Sequence, residues 1–107
     1  MTITILHNAI CNIWETTKEI IETILKENGL TTTIEEIVIT NDSEAKEYHF
    51  SGSPQILIDG IDIDPMASKI TNYHESGCRL YMWKGVLHEG PPKEMLVEAI
   101  KKEKRNL

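Results

Sequence analysis

The chain has 107 residues, and 40% of them are hydrophobic, so it can bury the core of one ordinary domain. Seventeen acidic residues against eleven Lys and Arg give a formal net charge of −6, which argues against binding to nucleic acid or to an anionic membrane. The sequence shows no signal-peptide pattern and no long apolar run, so we expect one cytoplasmic domain over residues 1–107.

The first elements are a strand and a helix. Residues 2–6 alternate polar and apolar side chains and are rich in β-branched residues, which predicts a strand with one buried face. A helix follows, beginning at Asn8 or at Asn12 and ending at Asn28, because Gly29 can take the left-handed conformation that stops a helix. Its predicted buried residues recur at three- and four-residue spacing: Ile10, Trp14, Ile21, Ile24 and Leu25.

The middle of the chain predicts a strand, a short helix and a β-hairpin. Residues 30–40 favour a second strand, and residues 43–49 favour a short helix. The apolar run 55–58 predicts a third strand. Asp59-Gly60 is typical of a type I′ turn, so residues 61–63 are expected to return antiparallel to it.

The last third has weaker signals until its final helix. Residues 65–77 predict only a helical turn near 66–71, and residues 78–83 favour a strand that ends at the turn Lys84-Gly85. Gly90-Pro91-Pro92 then opens a helix. Its predicted buried stripe is Met95, Leu96, Ala99 and Ile100.

This order of elements is βαβα, a β-hairpin and a terminal helix, with an insertion near 65–83. A parallel crossover joined to a hairpin predicts an α/β fold with a mixed central sheet and helices on both faces. The segment "GSPQILIDGIDI", residues 52–63, resembles the part of thioredoxins and glutaredoxins in which a cis-proline opens the third strand. The resemblance covers nearly the whole chain and implies a thioredoxin-like fold, with Pro54 opposite the N-terminus of the first helix.

The same resemblance implies a binding groove beside Pro54. A proline is tolerated at the first residue of a strand because no ladder donor is needed there. A cis Ser53–Pro54 bond would leave the main chain of Ser53 free to pair with an extended peptide or a thiol-bearing ligand, whereas a trans proline would merely start the strand. The predicted substrate-binding residues are Ser53, Pro54 and Trp14.

The stretch "LHNAICNIW", residues 6–14, lies where thioredoxins carry two cysteines separated by two residues. Here the motif is incomplete, because Asn8 and Trp14 occupy the positions three residues before and after Cys11. A closer resemblance is to small bacterial and archaeal thioredoxin-like proteins that keep one cysteine here, a tryptophan three residues on, and a later Ser-x-Cys-Arg segment, which is 76–79 in this chain. Some of these relatives are labelled organomercurial lyases.

Cys11 is the predicted nucleophile, because a helix N-terminus favours the thiolate, which is the reactive form. His7 is a candidate to accept its proton or to add positive charge. Cys78 is the candidate resolving partner if the fold brings its Cα to within about 7 Å of that of Cys11. The alternative is that both cysteines are only packed in the core.

No paired Cys and His spacing indicates a structural metal, and no motif indicates a cofactor. Three functions therefore stay open. They are thiol-disulfide exchange or a thiol switch acting on a protein or small thiol substrate, a non-catalytic binding module using the groove beside Pro54, and soft-metal handling by two thiolates. In an organomercurial lyase the proton donor would be Asp62 or Asp64, although the alternation of Asp59, Asp62 and Asp64 with apolar residues predicts a solvated strand face.

Overall fold

The computed structural model describes residues 1–105. Its elements follow the predicted order, with one further strand near the C-terminal end. In chain order they are β1 Ile3–Asn8, α1 Ile13–Glu27, β2 Ile34–Ile39, α2 Asp42–Glu47, β3 Gln55–Ile58, β4 Ile61–Asp62, a 3-10 helix Pro65–Lys69, β5 Tyr81–Trp83, β6 Val86–His88 and α3 Lys93–Arg105.

The central sheet has four strands in the order β2-β1-β3-β4. β1 and β2 are parallel, as a strand–helix–strand crossover requires, whereas β3 is antiparallel to β1 and β4 is antiparallel to β3. The predicted mixed sheet is therefore confirmed, and the chain is an α/β protein. No helix within residues 1–105 combines the length and the apolarity needed to cross a membrane.

The sheet buries apolar side chains on both faces. On one face α1 and α3 pack over the larger core cluster, and on the other face α2 packs over the smaller one. The larger cluster includes Ile5, Ile24, Ile56 and Leu96, and the smaller one is Leu6, Ile39, Ala45 and Phe50. All six residues of β1 are buried. The expectation of one buried face for β1 was wrong, because this strand lies in the middle of a sheet covered on both sides.

Helix α1 begins at the later of the two predicted positions, Asn12, although the apolar pattern reached back to Ile10. Its N-cap is Asn12, which makes no capping hydrogen bond through its side chain. Ile10, predicted to belong to the buried stripe, is 72% exposed because it lies in the loop before the helix. Cys11 is in the same loop and precedes the N-cap by one residue. The other end agrees with the prediction, since Asn28 caps the helix and Gly29 has a φ of +64°.

Two tight hairpins have the same kind of turn, with a positive φ at both central residues. Asp59 and Gly60 have φ values of +51° and +81°, which confirms the predicted turn between β3 and β4. Lys84 and Gly85, at +50° and +81°, connect β5 to β6 in a separate two-stranded sheet. The sequence predicted the turn. It also predicted the strand before the turn over residues 78–83, but only Tyr81–Trp83 form β5. β6 was missed because its three residues are too few to show a period.

Candidate functional site

A pocket of about 330 Å³ lies between the loop that precedes α1 and the segment that precedes β5. Both cysteines of the chain line it, and both are free thiols, Cys11 half-buried and Cys78 exposed. The remaining lining residues are Asn8, Ile10, Asn12, Ile13, Ser53, Ser76, Arg79, Leu80 and Glu89. The fold thus brings together Cys11, Cys78 and Ser53, three of the six residues predicted for the site.

The side chain of Asn8 connects the two segments that carry the cysteines. This residue is 1% exposed, and its Oδ1 accepts hydrogen bonds from the main-chain N–H of Ile10 at 3.3 Å and of Cys11 at 3.0 Å. Its Nδ2 donates to the carbonyl oxygens of Glu75 at 3.0 Å and Gly77 at 3.2 Å. The sequence offered Asn8 only as a helix cap or as the residue in place of a motif cysteine, so this bridging role was missed.

The segment that carries Cys78, residues 75–79, pairs with the main chain of Ser53. The Ser53 N–H donates to the carbonyl of Gly77 at 2.9 Å, and the Arg79 N–H donates to the carbonyl of Ser53 at 3.1 Å. This forms a parallel bridge between Ser53 and Cys78. The peptide bond between Ser53 and Pro54 is cis, as predicted. The expectation that the main chain of Ser53 is free for a ligand was wrong, because this chain's own segment occupies it.

Gly52 permits this close approach. Its φ is +131°, and a Cβ added there would lie 2.7 Å from the Arg79 nitrogen and 2.8 Å from the Cys78 carbonyl carbon. Both atoms belong to the backbone, so neither can move aside as a flexible side chain would. A side chain at this position is therefore incompatible with the observed path of the Cys78 segment.

A buried ion cluster also holds this segment, through the side chain of Arg79. The Arg79 side chain is 2% exposed, and its Nη1 and Nη2 donate to the two carboxylate oxygens of Asp62 at 2.9 and 3.0 Å. Asp64 lies 3.7 Å from Nη2. Burial alone would lower the pKa of Arg79, but the hydrogen bonds that it donates to Asp62 and the surrounding negative charges outweigh it and raise that pKa.

This cluster corrects the interpretation of the aspartate run. Asp59 is exposed, as predicted, but Asp64 is buried and Asp62 is half-buried because both face Arg79. Neither Asp62 nor Asp64 lines the pocket. They are therefore poorly placed to protonate a group bound between the two thiols.

Tyr81 completes the support beneath Arg79. Its ring centroid lies 4.8 Å from the Arg79 guanidinium carbon, and its hydroxyl donates a hydrogen bond to the carbonyl of Pro54. Burial raises the pKa of Tyr81, and the nearby Arg79 only partly opposes this increase. The phenol therefore stays protonated in the folded protein at pH values where an exposed phenol ionises.

We expect alkaline pH to destabilise the protein through Tyr81. Because the pKa of this phenol is raised on folding, its contribution to stability is complete below about pH 10 and decreases as the pH rises above that value. Of the three tyrosines, one should give its tyrosinate absorbance only on unfolding, and that fraction should be missing from Tyr81→Phe. A native protein that ionises all three tyrosines without losing its far-ultraviolet circular dichroism would contradict this expectation.

The structure does not bring His7 or Trp14 to the pocket lining. His7 is 4% exposed, its Nδ1 donates to the carbonyl of Asn8 at 2.9 Å, and its Nε2 lies 2.8 Å from Oε1 of Glu36. Trp14 stacks on the His7 ring with 4.0 Å between centroids. Both ring nitrogens of His7 therefore face oxygen acceptors, which leaves neither one directed to Cys11.

Pro54 is buried, and its carbonyl is used by Tyr81. It supports the pocket through its neighbour Ser53, since Ser53 is a lining residue and Pro54 is not. Within residues 1–105, no three His, Cys, Asp or Glu side chains form a group able to hold a metal ion. The two cysteines supply the free thiols that line this pocket.

Fold and site together define a small α/β protein with two free thiols facing one pocket. Over residues 1–100 the chain matches the family described as Domain of unknown function (DUF2703), and it belongs to that family. No curated protein and no solved structure matches it.

Proposed function

We propose that the protein is a thioredoxin-like thiol-disulfide exchange protein or thiol switch that acts through Cys11, with Cys78 as its resolving partner. The observation that carries this proposal is that both cysteines, distant in sequence, line one pocket. The strand order β2-β1-β3-β4 and the position of Ser53, whose hydroxyl accepts a hydrogen bond from the N–H of Asn8 at the end of β1, agree with the resemblance to thioredoxins.

Cys11 is the better nucleophile of the two by position. It is one residue from the N-cap of α1, a helix of 15 residues whose N-terminus favours nearby negative charge. The Cys11 thiolate attacks a disulfide and forms a mixed disulfide. The Cys78 thiolate then attacks the Cys11 sulfur and displaces the second thiolate, so that an internal disulfide remains.

The non-catalytic binding module is less well supported. It required a groove in which Ser53 offers its main chain to a peptide, and Gly77 and Arg79 already take both of those groups. The proposal therefore rests on the thiols and not on an open groove.

Binding of a soft metal ion is the second candidate, because two thiolates in one pocket suit an ion such as mercury. Cleavage of a carbon–mercury bond has less support than binding, since the carboxylates of Asp62 and Asp64 are paired with Arg79 outside the pocket lining.

The direct test is intact-mass spectrometry of the protein equilibrated across a series of glutathione redox buffers. We expect a reversible loss of two mass units as the Cys11–Cys78 disulfide forms, because each sulfur gives up one hydrogen. Cys11→Ser and Cys78→Ser are the matched controls, and neither should show this loss. Two thiols that stay reduced in the most oxidising buffer, and that also resist alkylation until the protein unfolds, would overturn the proposal.

A further inference from the structure

We propose that the substrate of this pocket is a low-molecular-weight, largely apolar disulfide and not a disulfide within an extended peptide or a folded protein. This inference rests on the proposed exchange function of Cys11 and Cys78. It specifies the substrate class, because a segment of this chain covers the main chain to which a peptide substrate would bind.

The covered groups are the main-chain N–H and carbonyl of Ser53. An extended peptide that docked beside Pro54 would need the Ser53 N–H and carbonyl, but these bond to Gly77 and Arg79 at 2.9 and 3.1 Å. The chain's own Cys78 therefore lies where the sulfur-bearing residue of a peptide substrate would lie. The resolving cysteine and a peptide substrate compete for one position.

The covering segment is held at several points, so it is not a loosely attached loop. Asn8 donates to the carbonyls of Glu75 and Gly77, and the N–H of Glu75 donates to Asp42 at 2.9 Å. Arg79 is anchored by its bidentate pair with Asp62. Displacing the segment would break these contacts and would also remove Cys78 from the pocket.

The space that remains suits a small molecule. A volume of about 330 Å³ is at the lower end of the range of small-molecule sites. Ile10 and Leu80, which are 72% and 54% exposed, and Ile13 supply apolar surface around the two thiols. The acidic Glu89 lines the same pocket, whereas the charge of Arg79, which also lines it, is neutralised by its pair with Asp62. The chain carries a net charge of −6, so a neutral substrate is favoured over an anionic one.

The reaction balances with the substrate as the only oxidant. The Cys11 thiolate attacks one sulfur of R–S–S–R, so that a Cys11–S–S–R bond forms and RS⁻ leaves. The Cys78 thiolate attacks the Cys11 sulfur and releases the second RS⁻. Two electrons pass from the protein thiols to the substrate, and the two protons lost by the cysteines are taken up by the two RS⁻ groups through solvent.

The experiment compares two disulfides against the fully reduced protein. The small probe is diethyl disulfide, which is neutral and apolar. The large probe is an unstructured peptide dimer, joined by one disulfide between central cysteines. Formation of the Cys11–Cys78 bond is followed by quenched-flow alkylation and mass spectrometry. Each rate is divided by the rate of free 2-mercaptoethanol with the same probe, which removes the intrinsic reactivity of the disulfide.

We expect the normalised rate with the small probe to exceed that with the peptide by on the order of 30-fold. A peptide can dock only after the two main-chain hydrogen bonds of Ser53 have opened, and the equilibrium constant for this opening lowers the rate with the peptide by that factor. Equal normalised rates, or a faster reaction with the peptide, would overturn this inference and leave the exchange function standing. Failure of both probes to oxidise the pair would overturn the exchange function itself.

Discussion

Replacing Asp62 by asparagine is expected to lower the free energy of unfolding by roughly 3 kcal/mol, because it removes one charge from a buried, bidentate ion pair. The Arg79 side chain is 2% exposed and that of Asp62 is 11% exposed, so water cannot replace the lost carboxylate. Asp64, at 3.7 Å, is too far away to substitute for it fully. Urea denaturation followed by circular dichroism measures the change.

Asp59→Asn is the matched control, since it makes the same chemical change in the same hairpin. Asp59 is exposed and its φ of +51° is one that asparagine tolerates, so we expect a change within about 0.5 kcal/mol. If Asp62→Asn were as mild as the control, the Arg79 cluster would not be what holds the Cys78 segment in place.

Replacing Gly52 by alanine is the second change with a large expected effect. Its new methyl group would lie 2.7 Å from the Arg79 nitrogen, in a backbone conformation that side chains rarely adopt. We expect an increase in main-chain strain and displacement of residues 77–79, which together lower the unfolding free energy by roughly 2–5 kcal/mol. Because Cys78 moves with this segment, formation of the Cys11–Cys78 disulfide in oxidising buffer should be lost.

Gly60→Ala separates strain from steric conflict. Gly60 has a φ of +81°, but a Cβ there meets nothing within 4 Å, so this variant should show the strain of positive φ alone. We expect Gly52→Ala to be less stable than Gly60→Ala by about 1–3 kcal/mol, and only Gly60→Ala should still form the disulfide. Equal stability of the two variants together with an intact disulfide in Gly52→Ala would show that Cys78 does not depend on this approach.

The elements that the sequence predicted well are those whose signal is local. The turn at Asp59-Gly60 follows from residues that tolerate positive φ, and β3 has the predicted bounds because proline and a tight turn delimit an apolar run. The end of α1 at Asn28 follows from a glycine stop. Each of these signals acts over a few neighbouring residues, so no knowledge of the rest of the fold was needed.

The predictions that failed concern residues whose environment is set by contacts that the local sequence pattern does not show. The sequence could not show that Arg79 neutralises Asp62 and Asp64, because these residues are brought together only when the chain turns back after the 3-10 helix. Exposure of Ile10 was missed for a related reason. Its spacing fits the helix, but Asn8 holds the loop that contains Ile10 and Cys11 outside it.

The sequence by itself determined the two thiols, the absence of a Cys-x-x-Cys motif and the succession of strands and helices that makes an α/β sheet. Only the tertiary structure decided that Cys11 and Cys78 face one pocket and that Ser53 is covered by the segment that carries Cys78. The physical reason is that this segment has little local preference of its own. Its path is set by hydrogen bonds to Ser53 and Asn8, by contact with Gly52 and by the buried ion pair of its Arg79 with Asp62. All of these partners are distant in sequence.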